Sequence, residues 1–281
     1  MTSNDNKLKS AYHLNLLPHQ IANDIFLVGD QGRVGQISKH FDTIEHQISN
    51  REFITHTGYI GKKRVSVLST GIGTDNIDIV MNELDALVNA ELPTFEIHKT
   101  RKTLNLIRLG TSGTIQKDIE LHSLVASSHG LGIDNLMHFY ANNNFDMDFQ
   151  KAIDKHLINW PKELSKPYIY SADSQLLNQF NDLIQGITVT APGFYAPQGR
   201  KLNLPFAIDD LHQQLQSFEH NSLRITNFEM ETSALYGLGA LMGHRCLTIC
   251  TILANRATQQ TSNNYASAIE NMIENVLNKL Y

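Results

Sequence analysis

Cysteine is nearly absent from the 281 residues: the chain has two, four apart in Cys246-Leu-Thr-Ile-Cys250. That run reads as a strand, along which residues four apart lie too distant to bridge readily, so free buried thiols are expected. No apolar run approaches the ~18 residues of a transmembrane helix, and Met1 to Ser10 is polar, without the apolar core of a signal peptide. A membrane partner is therefore not expected, and the chain reads as cytoplasmic. The sequence lacks Cys-x-x-Cys, His-Glu-x-x-His and any clustered pair among its thirteen histidines, which leaves a transition-metal site without support. A basic excess is missing as well. Lys and Arg number 23 against 28 Asp and Glu, a formal charge of −5, which argues against a nucleic-acid footprint but leaves room for small basic pockets.

What is present is ample material for a core: 41% of residues are hydrophobic and 18% charged. Strand-like runs alternate with helical ones. Ile25 to Val28 is followed by Gly29-Asp-Gln-Gly-Arg33 and a helix from Val34 to Phe41. Arg64 to Ser69 ends in Thr70-Gly-Ile-Gly73 and opens a helix from Asp75 to Val88. Leu104 to Leu109 ends in a small-residue turn, Gly110-Thr-Ser-Gly113. Leu121 to Ser127, Gly186 to Thr190 and Arg245 to Leu253 complete the strands, and Ala266, Ile269, Ile273, Val276, Leu277 and Leu280 stripe a C-terminal helix. Strand, glycine-rich turn and helix in repetition predict an α/β fold with a largely parallel sheet, whose ligands sit at the carboxyl ends of the strands. Without an evident linker, one domain over residues 1–281 is expected, with 1–12 a flexible terminus. Pro93 to Lys102 reads as an exposed excursion, and Gly130 to Lys166, with Asn142-Asn-Asn144, as a helix with irregular flanks.

Several residue groups carry chemistry. Gly29 with Arg33, Arg108 with Thr111, Ser112 and Gly113, and the isolated Arg51 offer backbone amides, hydroxyls and guanidinium forks, the groups a phosphate dianion requires. They could equally be strand–helix connections that need small residues. Arg108 is harder to treat so, because an unpaired arginine inside the apolar run Leu104 to Leu109 is expensive. Gly71-Ile-Gly73 lacks the third glycine of a dinucleotide fingerprint, and no Gly-x-x-x-x-Gly-Lys-Ser/Thr occurs. Phe194-Tyr-Ala-Pro-Gln-Gly-Arg200 offers rings to stack on a heterocycle; Gln198 and Arg200 match the acceptor–donor–acceptor edge of uracil, or form a plain Pro-Gly turn. In Asn227-Phe-Glu-Met-Glu231, Glu229 and Glu231 stand where a strand meets a helix. Two readings stay open: acids complementing a helix dipole, or carboxylates accepting from vicinal sugar hydroxyls.

Taken in order, His13-Leu-Asn-Leu, Gly29 to Val34, Asn50-Arg-Glu-Phe53, Ser69 to Gly73, Ile107 to Gln116, Phe194 to Arg200, Asn227 to Glu231 and Leu253-Ala-Asn-Arg256 resemble the nucleoside phosphorylase-I family, most closely its uridine-cleaving branch. The resemblance runs from His13 to the C-terminal helix. It implies a single-domain α/β/α sandwich around a mixed, largely parallel sheet, and reversible phosphorolysis of uridine, with deoxyuridine or thymidine as weaker substrates, to uracil and ribose 1-phosphate. By position it implies that Gly29, Arg33, Arg51, Arg108 and Thr111 bind phosphate, that His13, Glu229, Met230 and Glu231 bind ribose, and that Ser112, Gly113, Phe194, Gln198, Arg200 and Arg256 serve the base. Arg108, Arg200 and Glu231 would carry catalysis. His13 and Arg51 would reach a neighbouring subunit's site, in a homo-oligomer built of dimers and hexameric.

No organic cofactor or metal is implied beyond phosphate as co-substrate and a monovalent cation at the subunit interface. For that cation Glu52 is kept, while Asn76 replaces an expected serine. Other departures are Asn50 in place of a histidine, Gln31-Gly32 in place of an Asp-Pro-like turn, and Ala196-Pro197 in the base loop. Hexameric purine-cleaving relatives are expected to carry an Asp where this chain has Asn255-Arg256. Alternatives are a purine phosphorylase of the same fold and a nucleoside-binding homologue with little turnover.

Overall fold

A computed structural model describes residues 10–92, 94–141, 145–158, 160–208 and 210–281; the expectations for residues 1–9, Pro93 and Asn142-Asn-Asn144 lie outside the described residues. Strand β1 (Asp24–Val28) leads through a Gly29–Gln31 turn into α1 (Gly32–Ser38), which begins and ends slightly before the expected helix. An antiparallel ribbon, β2 (Thr43–Asn50) and β3 (Phe53–Ile60), follows and joins β4 (Lys63–Ser69). The sequence pattern misses β2 because it is the sheet's edge and has no fully buried residue, so it lacks an apolar alternation. Helix α2 (Thr74–Asn89) buries Ile77, Val80, Met81, Leu84 and Leu87 at helical spacing.

The expected excursion is the small hairpin β5 (Ala90–Glu91) and β6 (Glu96–Ile97), after which Lys102 N donates to Asn89 Oδ1 at 2.6 Å and Arg101 Nη2 to Asp85 Oδ1 at 2.7 Å. Then β7 (Asn105–Thr114) overturns one expectation. Gly110 to Gly113 is no turn; the strand runs on through it, paired with the strand Arg245–Asn255, which bulges between Ile252 and Ala254. The small residues there make room. A Cβ on Gly110 would overlap the Arg108 guanidinium and press on Cys250 Sγ at 2.9 Å.

Strand β8 (Leu124–Gly132) begins three residues after the expected Leu121 and extends into the segment expected as helical, where the described residues hold a short 3-10 helix (Leu136–Phe139) and α3 (Met147–His156). The chain continues through β9 (Tyr168–Ser171), α4 (Ser174–Leu177), β10 (Ile184–Thr190), α5 (Leu211–Gln216), β11 (Glu219–His220) and β12 (Leu223–Glu229). It closes with α6 (Thr232–Met242), β13 (Arg245–Asn255), β14 (Gln260–Thr261) and α7 (Tyr265–Leu280).

The sheet order is β11-β12-β10-β8-β13-β7-β1-β4-β3-β2. Its centre is parallel (β4-β1-β7-β13 and β8-β10-β12), and β13 meets β8 antiparallel. Asn227 and Phe228 also pair with Thr114 and Gly113, so β7, β13, β8, β10 and β12 close into a ring. That closure sets the end of β12 against the end of β7. Helices α2 and α6 pack on one face, α1 and α7 on the other, and α3 with α5 cover a third cluster around β10 and β12. Met272, Ile273, Val276 and Leu277 anchor α7, each burial stabilising by about 1.5–3 kcal/mol. A charge at Val276 would break that anchor.

Candidate active site

The carboxyl ends of β1, β4, β7 and β12 surround a cavity of about 920 Å³. At its floor the Gly29 turn and Arg33, on the first turn of α1, face Arg108 and Thr111 of β7. Arg108 is 4% exposed. Burial and the nearby Arg108 charge pull Arg33 down. The Nε groups of Arg33 and Arg108 are buried without a hydrogen-bond partner. A buried guanidinium N–H left unpaired is costly, and an anion in this corner would satisfy both.

The two acids divide the readings their sequence left open. Glu229 is consumed by the protein: it accepts from the backbone N–H of Glu231 at 2.9 Å and Thr232 at 3.0 Å, and from Thr190 Oγ1 at 2.7 Å. It caps the start of α6, where the helix dipole favours negative charge. Glu231 instead turns into the cavity. Its Oε1 accepts from Gly73 N at 2.7 Å, donated from a residue at φ +95°, and its Oε2 is hydrogen-bonded to Arg108 Nη2. Arg108 Nη1 lies 3.4 Å from Glu229 Oε2. One cation thus serves two carboxylates. Burial pushes the Glu231 carboxyl up, against Arg108 and with the help of Glu229, to about 7. The same two carboxylates hold Arg108 firmly charged despite its burial.

At the other end, Ser112 and Gly113 of β7 face Phe194, Gln198 and Arg200. The Arg200 guanidinium lies 3.8 Å over the Phe194 ring and donates to Gln198 Oε1. Arg256 Nη2 donates to the same oxygen at 2.7 Å, so the amide presents its NH₂ donors elsewhere. Burial and Arg200 pull Arg256 down to about 9, which leaves it charged at neutral pH. Asn255, beside it, is fully engaged: Nδ2 donates to Gln116 O at 3.0 Å and Ile119 O at 2.9 Å, and Oδ1 accepts from Thr258 N at 3.0 Å.

Gly29, Arg33, Arg108, Thr111, Ser112, Gly113, Phe194, Gln198, Arg200, Glu229, Met230 and Glu231 therefore line one cavity. Arg256 stands behind Gln198. His13 and Arg51 do not line it. His13 Nδ1 lies 2.6 Å from Glu83 Oε1, and Arg51, at φ +54° on the β2–β3 turn, sits 5.6 Å over the exposed Tyr12 ring, which in turn packs on His13. Sequence reasoning missed Phe228, Asp30, Tyr265 and His212. The first three line the cavity, and His212 touches Gln198 and Arg256 from behind.

Residues 24–280 match the family model described as the phosphorylase superfamily. The chain belongs to that superfamily. Among relatives, it is 30% identical over 256 residues to a uridine phosphorylase of Thermococcus kodakarensis, covering 89% of this chain and 79% of the relative. A uridine phosphorylase of Haemophilus influenzae is 26% identical over 91% of this chain and 90% of its own, and a DeoD-type purine nucleoside phosphorylase of Bacillus velezensis 26% over 85% of each. A crystal structure of a Trypanosoma brucei nucleoside phosphorylase, described as showing uridine phosphorylase activity, shares the fold at TM-score 0.88 and 24% identity, over 99% of this chain and 98% of that one. Among the described residues, no helix is long and apolar enough to cross a membrane, and no group of three or more His, Cys, Asp or Glu could hold a metal ion.

Proposed function

We propose that this chain is a pentosyltransferase that cleaves uridine reversibly with phosphate, giving uracil and ribose 1-phosphate, with deoxyuridine or thymidine as weaker substrates. The observation that carries it is the meeting of three groups in one cavity: Arg33 with Arg108, Glu231 hydrogen-bonded to Arg108, and Gln198 with Arg200 beside Gly113, five residues further along β7. Phosphate held by the two arginines, Thr111 and the Gly29 turn would lie beneath the sugar, so attack at C1′ becomes effectively unimolecular. Glu231, whose oxygens keep lone pairs beyond those given to Gly73 N and Arg108, would accept from the 2′- and 3′-hydroxyls and orient the ribose over Met230. As the glycosidic bond breaks, the electron pair passes to the uracil, and the N–H donors of Arg200 and Gln198 would stabilise it. The chemistry needs no organic cofactor.

The pyrimidine reading is supported by Gln198 with Arg200 in the cavity lining and by Asn255, which stands outside that lining. Its side chain is 2% exposed and spent on three backbone groups, so no acid is offered to a purine at the place where hexameric purine-cleaving enzymes are expected to carry one. The alternative remains a purine phosphorylase of the same fold, supported by the purine-cleaving relatives. Incubation with phosphate and either uridine or inosine decides between them: inosine cleavage without uridine cleavage would sink the pyrimidine reading. Uracil binding in calorimetry, with no phosphate-dependent product from either nucleoside, would point to a nucleoside-binding protein.

We also propose a dimer-built homo-oligomer, hexameric in the complete assembly. His13 and Arg51 share an exposed cluster with Tyr12 and stand outside their own cavity, as residues serving a neighbour's phosphate and ribose would. Glu52, which does line the cavity, is the candidate ligand for a monovalent cation at that interface, with Asn76 beside it. Two buried free thiols fit a reducing, cytoplasmic setting.

A further inference from the structure

Behind Gln198 and Arg256 lies His212, outside the groups assigned to phosphate, ribose and base. His212, in the first turn of α5, stacks on Phe228 with ring centroids 5.4 Å apart and planes 11° from parallel. Its Nε2 is 2.6 Å from Arg256 Nη1 and 3.0 Å from Gln198 O. It also closes against Gly199, where a Cβ would meet His212 Cδ2 at 2.9 Å. A guanidinium has only donors, so Nε2 accepts from Arg256 and the ring is neutral with its proton on Nδ1. Burial, and then the charge of Arg256, hold the imidazole down to about 4, so it keeps that state at neutral pH.

Gln198 Oε1 has two lone pairs, and both are taken, one by Arg200 and one by Arg256. A bound uracil would need an acceptor for its N3–H, so one of the two arginines must give up its lone pair on Oε1; Arg200 lines the cavity and Arg256 does not, so Arg200 is the one the base can displace. Arg256 then remains as the group that fixes the amide plane. Its own Nε is buried without a partner, and its Nη1 is shared between Gln198 O and His212 Nε2. Without the imidazole acceptor, one side of Arg256 is unanchored.

We propose that His212 is a positioning residue of the base site: as a neutral acceptor it holds Arg256, and through Arg256 it fixes the amide of Gln198 that reads the pyrimidine edge. The assignment rests on the uridine-cleaving reading. His212→Phe keeps the ring on Phe228 but removes the acceptor, whereas His212→Gln keeps an acceptor. Steady-state kinetics with uridine and phosphate varied separately should show the uridine KM of H212F raised roughly tenfold or more, the phosphate KM unchanged, and H212Q restored to within a fewfold of the parent. Should the phenyl ring lower the melting temperature, His212→Leu removes the acceptor with less bulk and is read the same way. A uridine KM in H212F or H212L within twofold of the parent would overturn the proposal, as would equal rises in both KM values, the mark of general loosening. A parent protein that turns over inosine and not uridine would overturn the uridine reading, and the assignment of His212 to a pyrimidine edge with it.

Discussion

Arg108 Nη2 is hydrogen-bonded to Glu231 Oε2, so the residue assigned to phosphate and the residue assigned to ribose hold each other. The pair is buried, and Glu229 stands 3.4 Å from the same guanidinium. The consequences of breaking it are unequal. Arg108→Met leaves two buried carboxylates without their cation and is expected to cost about 3–5 kcal/mol, whereas Glu231→Gln leaves Arg108 with Glu229 and should cost less. In urea unfolding, the double variant should fall between the singles; additive losses would mean the two side chains are not coupled. In the assay, Arg108→Ala should lower kcat roughly a hundredfold to a thousandfold, the size of loss that follows removal of a donor aimed at developing charge. Near-normal turnover would reject the phosphate assignment.

How much of this was readable from residues depended on what surrounds each one. Arg108 was conspicuous because a cation inside Leu104 to Leu109 needs partners, and the partners proved to be the two acids of Asn227 to Glu231. The span Gly110 to Gly113 misled because small residues serve two purposes, a turn or a close approach, and sequence does not separate them. Only the folded-back Arg108 guanidinium and Cys250 explain Gly110. The β2–β3 ribbon was silent because β2 is an exposed edge. His212 was silent for another reason: it lies 14 residues after Gln198 in a polar stretch, and its significance comes from stacking on Phe228, a contact made by chain topology. That the residues assigned to phosphate, ribose and base share one cavity follows from strand order and from the β7–β12 closure, neither of which a linear motif displays.

The Glu231 carboxyl, pushed up to about 7, has its full accepting capacity only when ionised, because the protonated form turns one oxygen into an O–H donor, which sets a sign for pH dependence. Below about pH 7 its protonated form accumulates, so nucleoside affinity should fall as pH drops. Calorimetric titration with uridine in the absence of phosphate isolates this group from phosphate's own ionisation. A parent whose affinity weakens between pH 7.5 and 6, with Glu231→Gln weak and flat over that range, is the expected outcome; a flat parent would remove Glu231 from the hydroxyl-binding role.

Arg33 offers a cleaner probe of the anion corner, because among the described residues its Nε is buried without a partner and no carboxylate is hydrogen-bonded to it. Arg33→Ala should raise the phosphate KM by roughly tenfold or more, the size expected for a lost charge-assisted hydrogen bond, and leave the uridine KM near the parent value. Equal changes in both constants would place Arg33 outside the phosphate site.

His212 also sets a stability trend with a definite direction. Its pKa is depressed from 6.5 to about 4 in the folded chain, so below pH 6.5 the unfolded state takes up a proton that the folded state refuses. This contribution to stability is present above pH 6.5 and is lost as pH falls towards 4. His212→Phe should flatten that part of the urea-midpoint profile relative to the parent; parallel profiles would mean the imidazole titrates freely.

The last test concerns the choice of base. If the purine-cleaving alternative differed from this chain only by an acid at the end of β13, Asn255→Asp would be the shortest route to inosine cleavage. The surroundings of Asn255 predict otherwise. Its Nδ2 donates to Gln116 O and Ile119 O, and a carboxylate there would face two carbonyl oxygens in a buried site. Both carbonyls would lose their donor, and the new charge would have no cation among its hydrogen-bond partners. We expect a loss of about 2–4 kcal/mol in stability, read as a lower melting temperature, from the unsatisfied carbonyls and the buried carboxylate together. Uridine turnover should drop only as far as the end of β13 loosens, and inosine should stay uncleaved. Inosine phosphorolysis by Asn255→Asp at a rate comparable to the parent's uridine rate would show that base choice is set by this one side chain, and that Gln198 and Arg200 leave it open.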